Sequence, residues 1–152
     1  MRRIGYQYGA GTAGMFEIFH EVPVKCSARK LYGAITAENA ISNWWLKGSR
    51  YEARVGAVNS FPLSDGSGQI RMKVLELIEG KSQKWLCVEH KHIDWINTEV
   101  SFEVVPESAD TSVLRFKHSN WRERSGVFGR VSFYWSALYL RNLRDMLEAG
   151  KL

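Results

Sequence analysis

Cysteine and proline are scarce in this chain. The two cysteines, Cys26 and Cys87, share no motif spacing. That excludes a disulfide framework and fits free thiols in a cytoplasmic protein. The three prolines, Pro23, Pro62 and Pro106, fall where strand patterns end. No apolar run approaches the 18 or so residues of a membrane-spanning helix. The basic start, Met1-Arg2-Arg3, is not followed by an apolar stretch, so no secretory signal is expected. The net charge is +5, but the bases are scattered. Their densest stretch, Arg115 to Arg130, lacks the Lys/Arg-Gly-aromatic signature of an RNA-binding strand; it reads as a solvated edge, and no nucleic-acid partner is expected. No Ser-His-Asp, Cys-His or paired-carboxylate constellation is visible. Gly9 to Gly14 matches G-x-G-x-x-G letter for letter, but a strand follows it and none precedes it. The phosphate-binding reading requires a strand before it and a helix after it, so it is rejected. Residues 1–14 read as a flexible tail and residues 15–152 as one domain.

What the sequence does have is a long C-terminal helix pattern. From Val127 to Ala149, Phe128, Val131, Trp135, Leu138, Tyr139, Leu143 and Met146 recur at three- and four-residue steps. Phe133, Leu140 and Leu147 widen the stripe to roughly twice the ~100° arc that a surface helix needs. Such a helix is expected to be wrapped on several sides. Ser132, Ser136 and Asn142 lie inside the arc, where they would suit the floor of a partly wet cavity or bond back to the helix's own carbonyls.

Upstream, Met15 to Val24 alternates as a half-buried strand, with Ile18 and His20 facing the same way. Ser27 and Thr36 read as caps of two short helices, Ala28 to Ile35 and Ala37 to Trp45. Trp44 and Trp45 point about 100° apart, so both are buried only if that helix crosses something concave. From Gly48 to Asn120 the period is two, giving short strands at 50–54 and 55–63 and then a sequential antiparallel meander. One sheet face is polar, and only the long helix has enough apolar surface to cover the other.

This order, with Ala37-Glu38-Asn39-Ala40-Ile41-Ser42-Asn43-Trp44-Trp45, Thr98 to Val104 with Thr111, His118 with Asn120-Trp121, and Leu140 to Lys151, resembles the START-like (SRPBCC) superfamily. Within it, the chain is most similar to the family named for the activator of the heat-shock chaperone ATPase. The resemblance covers about residues 15–151. It implies an α+β helix-grip fold: a curved antiparallel sheet of about six to seven strands around the C-terminal helix, with two short helices after the first strand. It also implies a deep apolar cavity between sheet and helix.

Inward parity on the strands places Phe61, Met72, Leu86, Phe102 and Phe116 on the walls of that cavity. Trp135 and Tyr139 come from the helix, Trp44 stands at the entrance, and His118 is the main polar group; the other reading of His118 is a core histidine bonded to a backbone carbonyl. The expected function is binding of a small hydrophobic or amphipathic ligand, with no cofactor. The alternative is a polyketide cyclase- or dehydratase-like enzyme with His118 or His90 as acid or base. A third is a stress-related chaperone partner. His90, His92 and Asp94 could in principle ligate a metal, but they fall at a strand end beside a loop, and no metal site is expected. Removing residues 1–13 should shift the melting temperature by less than ~2 °C, since chain without apolar anchors buries nothing. A scanning-calorimetry shift well beyond that would show that the segment docks.

Overall fold

The computed structural model describes residues 15–152, so the tail expected over 1–14 lies outside the described residues. Strand β1 (Phe16–Val24) is followed by helices α1 (Ala28–Thr36) and α2 (Glu38–Trp44). Then come β2 (Val58–Pro62), β3 (Gln69–Ile78), β4 (Ser82–Glu89), β5 (Glu99–Pro106) and β6 (Ser112–Trp121). The six strands form one antiparallel sheet in the order β1-β6-β5-β4-β3-β2. The meander therefore runs from β2 to β6, and β1 closes it along β6. Register shifts at Phe16/Ile18, Arg71/Met72 and Val74/Glu76 mark bulges, which bend a sheet and raise its twist. This is the helix-grip architecture that the order of elements implies.

Local chemistry explains most boundaries. The Ser27 hydroxyl accepts from the Lys30 N–H and starts α1. Thr36 does not cap α2: it is the last residue of α1, and its hydroxyl bonds back to the Tyr32 carbonyl at 2.7 Å. The strand expected at 50–54 is a single bridge, Arg50 to Ser60. The convex sheet face is polar, with Arg115 between Glu21 and Glu103 and Lys84 between Glu76 and Glu99.

The C-terminal helix begins at Ser125, whose hydroxyl caps Phe128 and donates to Asp94. It comprises α3 (Gly126–Tyr134), a π-helical turn (Trp135–Tyr139) and α4 (Leu140–Glu148). The π turn explains the wide apolar arc. Its buried residues are Val131, Trp135, Leu140, Leu143 and Leu147. The step from Trp135 to Leu140 is five residues, which an α-helix cannot keep on one face. Two narrower stripes of different phase are joined there, so the helix is not wrapped on several sides. Phe133 and Leu138 are 62% and 51% exposed. Ser136 and Asn142 are exposed as well, and the Asn142 amide donates to the Trp44 carbonyl instead of flooring a cavity.

A buried side-chain network ties the first helix to the sheet. Gln83 on β4 donates to the Ile35 carbonyl at the end of α1 and accepts from the Tyr51 hydroxyl. The same amide oxygen accepts the Trp85 indole N–H at 3.0 Å. Replacing Gln83 with Leu would leave these groups buried without partners, each costing ~1–3 kcal/mol. We expect urea unfolding of Gln83→Leu to show a loss of about 3 kcal/mol. A loss below ~1 kcal/mol would mean that water satisfies the site.

Candidate functional site

Most of the sheet's concavity is filled by aromatic rings. Trp44 and Trp45 are both buried where α2 crosses the sheet, and the Trp44 indole donates to the Ala34 carbonyl at 2.9 Å. Trp45 packs on Phe61, Trp85 and Trp135, with ring centroids at 4.6, 5.9 and 5.2 Å. Phe116 lies 4.5 Å from Trp135, and Phe102 5.4 Å from Phe116. Trp44, Phe61, Met72, Phe102, Phe116 and His118 are completely buried in this layer. None of them lines the open space that remains, so the deep cavity expected from strand parity is occupied by protein. Leu86 points to the other sheet face: Gln83, Trp85 and Cys87 are the inward residues of β4. Parity had been counted in the wrong phase on that strand.

A groove of about 410 Å³ opens at the edge of the aromatic layer. This is within the ~300–1,000 Å³ of small-molecule sites. One wall is the helix around its π turn, with Val127, Val131, Tyr134, Trp135, Leu138 and Tyr139. Another is Trp45 and Leu46 after α2, and a third is Leu63, Ile70 and the β2–β3 turn at Asp65. His90, Lys91, His92 and Trp95 close the far side. Of the residues expected at a ligand site, Trp135, Tyr139 and His90 meet here. Trp45 and Trp95 carry much of the wall and were missed. The adjacent Trp44-Trp45 pair was the available signal, since one ring of such a pair must lie nearer the opening.

His118 sits one layer behind this groove with both ring nitrogens engaged. The Trp135 indole N–H donates to Nδ1 at 3.1 Å, so the proton of the neutral ring is on Nε2. Nε2 lies 2.8 Å from the Thr98 hydroxyl, which in turn donates to the Trp95 carbonyl at 2.6 Å. The chain of bonds links β6, the helix and the segment after β4. Burial holds the imidazole neutral, far below its ordinary titration range, and the nearby His90 adds to this. His90 is stacked on Trp95 at 4.4 Å, and burial, then the charges of His92 and Lys91, push it down to about 4.

The remaining polar residues are committed locally. Lys91 donates to Asp65 at 3.3 Å and to Ser67 at 2.6 Å. The Ser67 hydroxyl and N–H, with Lys91, hold the Asp65 carboxyl down at about 2. Asp94 is not on a strand face with His90 and His92; it lies in a 3-10 turn (Ile93–Trp95) and accepts from Ser125. Among the described residues, no group of three or more His, Cys, Asp or Glu is placed to hold a metal ion. His20 stacks on Phe116 at 6.4 Å, away from the groove.

His118 makes acid stability a test of this geometry. Its folded pKa is depressed, so below ~6.5 the unfolded chain binds a proton that the folded chain does not. Stability should therefore fall as pH drops below ~6.5, by up to ~1.4 kcal/mol per pH unit from this group, and be unaffected above it. His118→Gln, which keeps one acceptor and one donor, should flatten the slope of denaturation midpoint against pH between 6.5 and 5. An unchanged slope would show that His118 titrates normally.

No protein-family model and no curated protein sequence matches the chain. Solved structures do. The Aha1 dimer from Colwellia psychrerythraea, a solution structure, is 30% identical with a TM-score of 0.80, covering 91% of this chain and 100% of that one. An HSP90 activator from Plasmodium falciparum is 18% identical, with a TM-score of 0.67 over 86% of this chain and 95% of that one. A protein of the dynemicin biosynthetic locus is 17% identical, with a TM-score of 0.72 over 89% of this chain and 48% of that one. The two more distant structures share the fold. The 30% identity to the whole of the first, together with the helix-grip architecture, means that this chain belongs to the Aha1 family of Hsp90 ATPase activator homologues, within the START-like superfamily.

Proposed function

We propose that the protein binds a small amphipathic molecule in the groove beside the π turn. The observation that carries this reading is the apolar, open volume of about 410 Å³ beside an otherwise filled core. Its walls include Leu138, a large apolar side chain that is half exposed. π-helical turns are frequent at functional sites, and this one contributes Trp135, Leu138 and Tyr139 to the wall. The buried free thiols of Cys26 and Cys87 fit a cytoplasmic location for this activity. A cyclase- or dehydratase-like reaction at this site would rest on His90, because both nitrogens of His118 are engaged.

The test uses the neutral fluorescent probe N-phenyl-1-naphthylamine with native protein. We expect saturable binding that weakens about tenfold in Leu138→Glu, since a charge on the wall must be desolvated by an apolar ligand. The exposed position should leave the unfolding midpoint unchanged. Absent binding, or binding indifferent to Leu138→Glu, would overturn the reading.

Family membership favours a second reading, partnership with an Hsp90-class chaperone. Its test is the ATPase rate of a purified Hsp90 chaperone with increasing amounts of this protein. A saturable rise is expected on this reading, and an unchanged rate in excess protein would contradict it.

A further inference from the structure

The groove carries an asymmetry of charge that its apolar walls do not require. Three fully ionic side chains line it: Asp65, Lys91 and Arg130. Asp65 and Lys91 are already paired with each other, and Asp65 also takes both the hydroxyl and the N–H of Ser67. Their charges cancel. Arg130 is different. It lies midway along α3, with its guanidinium folded back over Gly126, where an added Cβ would come within 3.3 Å of Nη1. Among the described residues, no carboxylate pairs with it. Among the described residues, the groove therefore holds one positive charge without a carboxylate partner, beside a low-dielectric aromatic wall where field lines are concentrated.

The hydrogen-bonding groups point the same way. His90 Nδ1 accepts the His92 backbone N–H at 2.9 Å. In the neutral ring the proton is then on Nε2, a donor to which the described residues offer no acceptor. Arg130 has donors only. The one carboxylate on the wall is saturated by Ser67 and Lys91. The other polar lining groups, the Ser64, Tyr134 and Tyr139 hydroxyls and the His92 ring, both donate and accept and so do not discriminate between ligands. A ligand with an acceptor-only, negatively charged head finds donors in the lining at Arg130 and, on the opposite side of the groove, at His90 Nε2–H.

We propose that the ligand of this groove is an amphipathic carboxylate, its apolar body on Trp45, Trp135 and Leu138 and its head group held by Arg130. The proposal rests on the groove being a ligand site and adds the chemical class of the ligand. A guanidinium offers a carboxylate two parallel N–H donors, which a point charge does not, so Arg is suited to this role. Arg130 is a specificity-determining residue here: it discriminates acid from alcohol of the same chain length, while the apolar wall supplies sequence-independent affinity for both.

Decanoate and decanol separate these two contributions. Each is titrated into the whole protein at pH 8 and low ionic strength, followed by tryptophan fluorescence. We expect decanoate to bind about tenfold more tightly than decanol, the size of one charge-assisted hydrogen-bonded contact. In Arg130→Gln that ratio should fall to about one, Arg130→Lys should retain part of it, and Lys81→Gln, at the exposed β3–β4 turn, should retain all of it. Raising the salt should lower the decanoate affinity and not that of decanol. Equal affinities in the native protein, or a preference that survives in Arg130→Gln, would overturn the carboxylate assignment while leaving the groove as a ligand site. Binding of neither compound would overturn both.

Discussion

The contact on which the rest of the structure depends is the packing of Trp135 against the tryptophan that follows α2. Trp135 lies 5.2 Å from Trp45 and 4.5 Å from Phe116, and its N–H is fixed on His118. One side chain thus joins the C-terminal helix to the short helices, to β6 and, through Thr98, to the segment after β4. The helix must present Trp135 here and Leu140, Leu143 and Leu147 further along. The five-residue step between Trp135 and Leu140 makes the π turn necessary. The π turn in turn releases Leu138 from the core and leaves it on the groove wall.

Placing large rings in the concavity has a second consequence. A helix-grip sheet can enclose a cavity, but here Trp44, Trp85, Phe102 and Phe116 fill it at the close spacing of a protein interior. The groove lies at the edge, where Trp45, Trp95 and Trp135 present a wall instead of a second layer. Polar groups inside the layer are paired: Gln83 with Tyr51, Trp85 and Ile35, and His118 with Trp135 and Thr98. Among the described residues, the buried side-chain atoms without a partner are His20 Nε2 and Trp121 Nε1. The histidine most suggestive of chemistry in the sequence is therefore a cross-brace, and the one at the strand end, His90, faces the groove.

Much of the architecture could be read from the sequence because it follows from periodicity. Alternation along Gln69 to Val74 and Thr98 to Val104, the Ser27 cap and the continuous C-terminal pattern each depend on local rules, and each reappears in the fold. The site was less legible. Strand parity tells which side chains face inward but not whether they meet a ligand or one another, so Phe61, Met72, Phe102 and Phe116 were expected on a cavity wall. Parity also failed on β4, where the inward set is Gln83, Trp85 and Cys87; a polar Gln in the inward phase disguised the pattern and put Leu86 on the wrong face. The π turn was visible only as an over-wide stripe. An ideal helical wheel spreads a five-residue step into extra arc and so suggests burial on several sides. Arg130 and Trp45 owe their positions to tertiary packing, which no local period carries.

Between sheet and helix the aromatic rings pack on one another, and the groove opens at their edge. Diffraction from crystals pressurised with xenon tests this most directly, because xenon enters dry apolar cavities. The account predicts xenon along Leu138 and Tyr139 and none among Trp44, Phe102 and Phe116. Xenon density within that aromatic layer would contradict it.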